Sequence, residues 1–152
     1  MSPTRKHTPK DVELEIPARV EYLALVRSII GATAALDPRI SSDRIDDLRL
    51  AVSEATTNAI EANLAAKSKK NIEIRCGLAD DAVHVEVRDH GTGFDPTALV
   101  PHPPVTDPER LEFERGLGIP LMRKLADEHE IKPSKNGTVV RLVVYVRKKK
   151  RS

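Results

Sequence analysis

A chain of 152 residues with 39% hydrophobic content is long enough for one core and short for two, so a single domain is expected. Its 25 basic and 23 acidic residues leave a net charge of +2 and are interspersed outside the closing RKKKRS, which excludes a basic face built for direct nucleic-acid binding. Lone Cys76 excludes an internal disulfide framework, and no apolar run approaches a membrane span or signal-peptide core, so a cytoplasmic protein with no membrane partner is expected.

In chain order, residues 1–10 (MSPTRKHTPK) are polar and Pro-containing and are expected to form a disordered arm, ahead of one domain over 11–147 and a basic tail over 148–152. Val12, Leu14 and Ile16 alternate as a strand that Pro17 ends. Tyr22, Leu25, Val26, Ile29 and Ile30 fall at helical spacing, in a helix that must stop before Pro38. Ser41, Ser42 or Asp43 can cap a second helix, with an apolar stripe of Ile45, Leu48, Val52, Ala55 and Ala59. Ile72, Ile74, Cys76 and Leu78 make the next strand, and Asp80-Asp81 turn it into a hairpin partner ending at Asp89. Residues 96–115, with VPHPPVTDPE, have no clear period and read as a long lid-like loop. Gly118 then opens a helix with Pro120 in its first turn and Leu121, Met122 and Leu125 inward. A last strand follows KNG, with Thr138, Val140, Leu142, Val144 and Val146 on one face. This order predicts an α+β fold, a two-layer α/β sandwich whose mixed, mostly antiparallel sheet is covered by helices on one face.

Three features carry chemistry. In VHVEVRDHGTGFDP, Val83, Val85 and Val87 share one side, so Asp89 follows them inward and needs a donor, from the protein or from a ligand. The alternative is that Asp89 caps the turn made by Gly91 and Gly93. Thr138 faces the same side, and an inward carboxylate with a hydroxyl suits the amino donor and ring acceptors of a purine. Glu54 and Asn58, four residues apart and so about 40° around the helix axis, share one face beside the apolar stripe. They are either an ordinary solvated pair or a carboxylate able to take a proton beside an amide oxygen suited to Mg²⁺. HGTGFDP and RGLGIPL are not dinucleotide or protein-kinase glycine loops, because Pro96 and Leu121 replace the third glycine. Gly116 and Gly118, however, precede a helix, where free N–H groups and the dipole favour a phosphate. The five histidines show no ligand spacing, so no zinc site is assigned.

Taken together, EATTNAIEAN (Glu54–Asn63), DHGTGF (Asp89–Phe94), RGLGIPLM (Arg115–Met122) and NGTVVRL (Asn136–Leu142) resemble the N, G1 and G2 boxes and closing strand of the histidine-kinase-like (GHKL, Bergerat-fold) ATPase superfamily. The small size, EIPARVEYLALVRSII and LRLAVSEATTNAIEA look most like the bacterial anti-sigma factor serine/threonine kinases. The resemblance implies that Asp89 accepts from the adenine amino group with Thr138 beside the ring, and that Gly91 and Gly93 let the backbone approach the nucleotide. It further implies that Asn58 holds Mg²⁺, that Gly116, Leu117 and Gly118 cradle the ATP phosphates under the 96–115 lid, that Arg115 is also ATP-binding, and that Glu54 is the general base. The implied partners are a sigma factor and a STAS-type anti-anti-sigma factor phosphorylated on serine. A sigma-binding module without kinase activity is the alternative, and a free-standing ATPase domain of a histidine-kinase relay is disfavoured by the lack of a phosphoacceptor helix. Two features depart from the family pattern: Ala62 stands where relatives often have His, and the lid is rich in Pro. A homodimer is expected, from the family and because Val139, Val143 and Tyr145 make the outer face of the last strand apolar.

Overall fold

The computed structural model describes residues 11–92 and 124–147. In chain order it contains β1 (Val12–Ile16), a 3₁₀ turn (Val20–Tyr22), α1 (Leu23–Ala34), α2 (Ser42–Ala65), β2 (Ile72–Ala79), β3 (Ala82–Arg88), β4 (Glu128–Ser134) and β5 (Gly137–Tyr145). The strands form one sheet in the order β1-β2-β3-β5-β4. The mixed, mostly antiparallel sheet that was expected is antiparallel at every described pairing.

The period of two places the core. Val85 lies between Cys76 of β2 and Leu142 of β5, and all three are fully buried. Val83, Val87, Ile74, Val140 and Val144 repeat the pattern on either side. Against this face α2 lays Leu48, Val52, Ala55 and Ala59, all buried, and α1 adds Val26, Ile30 and Ala34. Each large aliphatic side chain in this layer contributes about 2 kcal/mol on removal from water. Of the three candidate caps of α2, Ser41 takes the position, its hydroxyl accepting from Arg44 N at 3.2 Å. The hairpin turn is made by Asp80 and Asp81, both left-handed (φ 54° and 58°), as a two-residue turn between twisted strands requires.

Several details differ from expectation. Leu25 is 47% exposed, because α1 turns Val26, Ile30, Gly31 and Ala34 inward, and Tyr22 belongs to the preceding 3₁₀ turn. β4 was not expected at all. Its sequence EHEIKPS has one aliphatic residue, Ile131, packed on the core, and it contains Pro133. Such a strand is tolerated at a sheet edge, where one side of the ladder needs no partner.

The outer sheet face is not the apolar surface expected from Val139, Val143 and Tyr145. Those residues do lie there, but Val143 is already covered (3% exposed) and the Tyr145 hydroxyl donates to Glu128 at 2.6 Å. The registers also align Glu13, Arg75, Glu86, Arg141 and Glu130 across all five strands, a transverse row of alternating charge. Arg75 is ion-paired with Glu86, and Arg141 lies 3.8 Å from Glu130.

At the far end of the sheet, the buried Arg44 pairs with Asp127, whose Oδ2 also accepts Tyr145 N at 2.7 Å, tying the first turn of α2 to the end of β5. Lys124 and Leu125 are helical and Leu125 packs on the core. The other residues of the helix expected from Gly118, the expected 96–115 loop, the N-terminal arm and the basic tail lie outside the described residues. No described helix is long and apolar enough to cross a bilayer.

Candidate functional site

Asp89 follows Arg88 at the end of β3 and does point inward: it is only 7% exposed. Its backbone extends the β3–β5 ladder by one step, Asp89 N donating to Thr138 O at 3.0 Å. The carboxylate is oriented by two backbone donors, Gly91 N at 2.9 Å and Thr138 N at 3.1 Å, and both bonds end on Oδ1. Asp89 is thus inward, as one reading had it, and bonds the Gly91 side of the turn named in the other, while Gly93 lies outside the described residues. The Asp89 Oδ2 takes neither of those donors.

Asp89 is one of the residues lining a cavity of about 590 Å³, together with Gly91, Gly137 and Thr138, with Lys70, Arg88 and Lys135 around it. The volume falls within the range of small-molecule sites. A carboxylate acceptor with a half-buried threonine hydroxyl beside it complements the amino donor and ring acceptors of an amino-bearing purine, so the residues present fit the base of ATP.

Two glycines allow the close packing. A methyl group on Gly91 would fall 2.9 Å from Ala62 O and 3.0 Å from Ala62 Cβ, so the turn rests directly on α2. Gly137 has φ 134°, and a methyl group there would fall 2.1 Å from Asp89 O. Only glycine can hold that backbone beside Asp89.

Glu54 and Asn58 are both half-buried on α2, in contrast to a fully solvated pair. They are not among the described residues lining the cavity, which meets the α2 end at Ala66. Helix geometry relates them to it: with Ala62 against Gly91, Asn58 stands about 6 Å and Glu54 about 12 Å further along the axis. The structure therefore unites Asp89, Gly91 and Thr138, and sets Asn58 and Glu54 on the helix that backs their turn. Gly93, Arg115, Gly116, Leu117 and Gly118 lie outside the described residues. Among the described residues no group of three or more His, Cys, Asp or Glu is arranged to hold a metal.

One participant escaped the sequence reading. Asn63 is fully buried, and its side chain is used at both ends: Oδ1 accepts His90 N at 2.6 Å and Nδ2 donates to Lys70 O at 3.0 Å. Its backbone carbonyl accepts Ser68 N at 2.9 Å while Lys67 N bonds Leu64 O at 3.1 Å, with Lys67 left-handed at φ 53°. This is a Schellman ending of α2. The available signal was an Asn in the last turn of a helix, where a poor helix former is retained when its amide serves other segments.

The histidine kinase-like ATPase domain family matches residues 16–144. The chain is 34% identical over 139 residues to serine-protein kinase RsbW of Bacillus velezensis, covering 89% of this chain and 85% of that one. It is 32% identical to RsbW of Bacillus subtilis strain 168 (93% and 89% covered) and 31% identical to RsbW of Staphylococcus epidermidis (90% and 87%). Among solved structures, the RsbU and RsbW domains of a Mycobacterium tuberculosis protein share the fold with TM-score 0.65 at 22% identity, covering 91% of this chain and 32% of that one. The histidine kinase domain of an Erythrobacter litoralis blue-light-activated kinase superimposes with TM-score 0.51 at 21% identity, covering 86% and 62%. With the inward Asp89, its glycine-supported turn and the sandwich in place, the chain belongs to the histidine kinase-like ATPase domain family and, within it, to the RsbW group of serine-protein kinases.

Proposed function

We propose that the protein is an ATP-dependent anti-sigma factor kinase, which sequesters an RNA polymerase sigma factor and phosphorylates a serine on a STAS-type anti-anti-sigma antagonist. The observation that carries this reading is the buried Asp89, a residue lining the cavity, with its described donors on Oδ1 alone. Oδ2 accepts the adenine amino group, Thr138 flanks the ring, and Gly91 keeps the wall thin enough for the base to approach.

On α2, Asn58 would hold Mg²⁺ through its amide oxygen, and the cation, when bound, supplies neutralising charge at the phosphates. Glu54 accepts the proton of the serine hydroxyl as the Oγ–phosphorus bond forms and the bond to the departing ADP oxygen breaks. Gly93, Arg115, Gly116, Leu117 and Gly118 complete the nucleotide site in this reading. Phosphorylation adds charge to the antagonist's contact surface, so the antagonist releases the kinase and sigma factor is recaptured. The reading places the protein in the cytoplasm as a homodimer. Support for the dimer comes from the family, since the outer sheet face carries a charged row in place of an open apolar patch.

Mass spectrometry of candidate antagonist proteins, incubated with this chain and Mg-ATP, tests the proposal. A phosphoserine on one of them is the expected product. Binding of sigma factor in ATP without any phosphorylated antagonist would instead identify a nucleotide-dependent binding module.

A further inference from the structure

We propose that Asn63 is a positioning residue: it holds the Asp89–Gly91 turn against the end of α2 and thereby sets how strongly the cavity discriminates for a purine that carries an exocyclic amino group. The inference deepens the base-acceptor reading of Asp89 and rests on it. The turn is seated on α2 at two adjacent residues. Ala62 meets it by contact, with Gly91 packed against the Ala62 backbone, and Asn63 meets it by a hydrogen bond from His90 N at 2.6 Å. His90 lies between Asp89 and Gly91, the two residues joined by the Oδ1 to N–H bond that orients the carboxylate.

The Asn63 amide can sit only one way. Its oxygen faces the His90 N–H and its NH₂ faces the Lys70 carbonyl, so a flipped amide would set donor against donor and acceptor against acceptor. An aliphatic residue in the same fully buried position would leave both backbone groups without a partner. The bond to Lys70 closes the α2–β2 connection, whereas the bond to His90 reaches the base acceptor. Those two roles are separable by substitution. Asn63→Asp keeps an acceptor for His90 N and loses the donor to Lys70 O, while Asn63→Ala loses both.

Two readouts decide the matter. Calorimetry compares Mg-ATP with the Mg complex of purine riboside triphosphate, which lacks the amino group, and NMR amide exchange follows the His90 N–H in the nucleotide-free protein. We expect wild type to prefer ATP, Asn63→Ala to lose about fivefold in that preference with faster His90 exchange, and Asn63→Asp to keep both the preference and the protection despite a lower melting temperature. A folded Asn63→Ala with unchanged preference or unchanged His90 protection overturns the proposal. So does an Asn63→Asp variant that loses preference and protection, because the Lys70 bond would then be what sets the turn, and this arm decides even if Asn63→Ala does not fold. Equal binding of the two nucleotides by wild type overturns the base-acceptor reading itself and the specificity claim with it, whereas the exchange measurement still reports on the Asn63–His90 bond.

Discussion

Asp89 is held by two protein donors and, in the proposed function, also serves a ligand, and that double duty determines what a substitution there should do. Asp89→Asn retains an oxygen for Gly91 N and Thr138 N, so the turn can survive. The amide's NH₂ then occupies the place of Oδ2 and confronts the adenine amino group with a donor. We predict a folded protein whose ATP affinity falls at least about tenfold, the loss expected for a hydrogen bond to a charged acceptor; calorimetric titration checks it, and near-native affinity would remove Asp89 from the adenine site. The inward placement of Asp89 was legible because a period of two depends only on neighbours along the strand. Asn63 was not legible, because its meaning depends on a residue 27 positions away, and the Thr138 N–H that orients Asp89 comes from 49 positions away. No local pattern encodes such approaches.

At the scale of elements, the strongly periodic segments were readable and the edge was not. α2 and β3 declare themselves through stripes of Leu48, Val52, Ala55 and Ala59 and of Val83, Val85 and Val87, whereas β4 owes its form to the ladder with β5 and offers only Ile131 to the core. The turn between β4 and β5 bears on the site through Gly137. Gly137→Ala would place a methyl group in a left-handed backbone 2.1 Å from Asp89 O. It should cost at least about 2 kcal/mol in urea unfolding and weaken ATP binding as β5 withdraws from Asp89. A loss below about 0.5 kcal/mol would show that the turn yields freely. The start of β4 is pinned by the Tyr145 phenol, whose pKa the hydrogen bond to Glu128 pushes up from its ordinary value of 10.0. A raised folded value means that this bond's stabilisation is present below the unfolded pKa and is lost as pH rises through the folded one. Tyr145→Phe should therefore be slightly less stable than wild type at neutral pH, with the gap closing in strongly alkaline buffer. A gap that persists there in denaturant titrations would assign the effect to packing.

For the whole molecule, the sandwich was readable from the order of elements, and the site emerged from it because β3, β5 and the end of α2 converge on one cavity. The outer face was misread because Val139, Val143 and Tyr145 were weighed along one strand, while the registers bring charged residues of all five strands into the row beside them. If the protein is a dimer, light scattering at micromolar concentration should give about twice the chain mass, with salt weakening any interface that uses this row. A strict monomer that still binds sigma factor would contradict the assembly. The most direct measurement of the account is single-turnover phosphorylation of the antagonist's serine by wild type and by Glu54→Gln, with ATP binding verified for both. The account predicts that wild type phosphorylates the serine and that Glu54→Gln, which keeps the side chain's size and loses its basicity, binds ATP but reacts about 10²-fold more slowly or worse. Undiminished transfer by Glu54→Gln would contradict the role of Glu54, and no transfer by ATP-bound wild type to any antagonist would contradict the kinase itself.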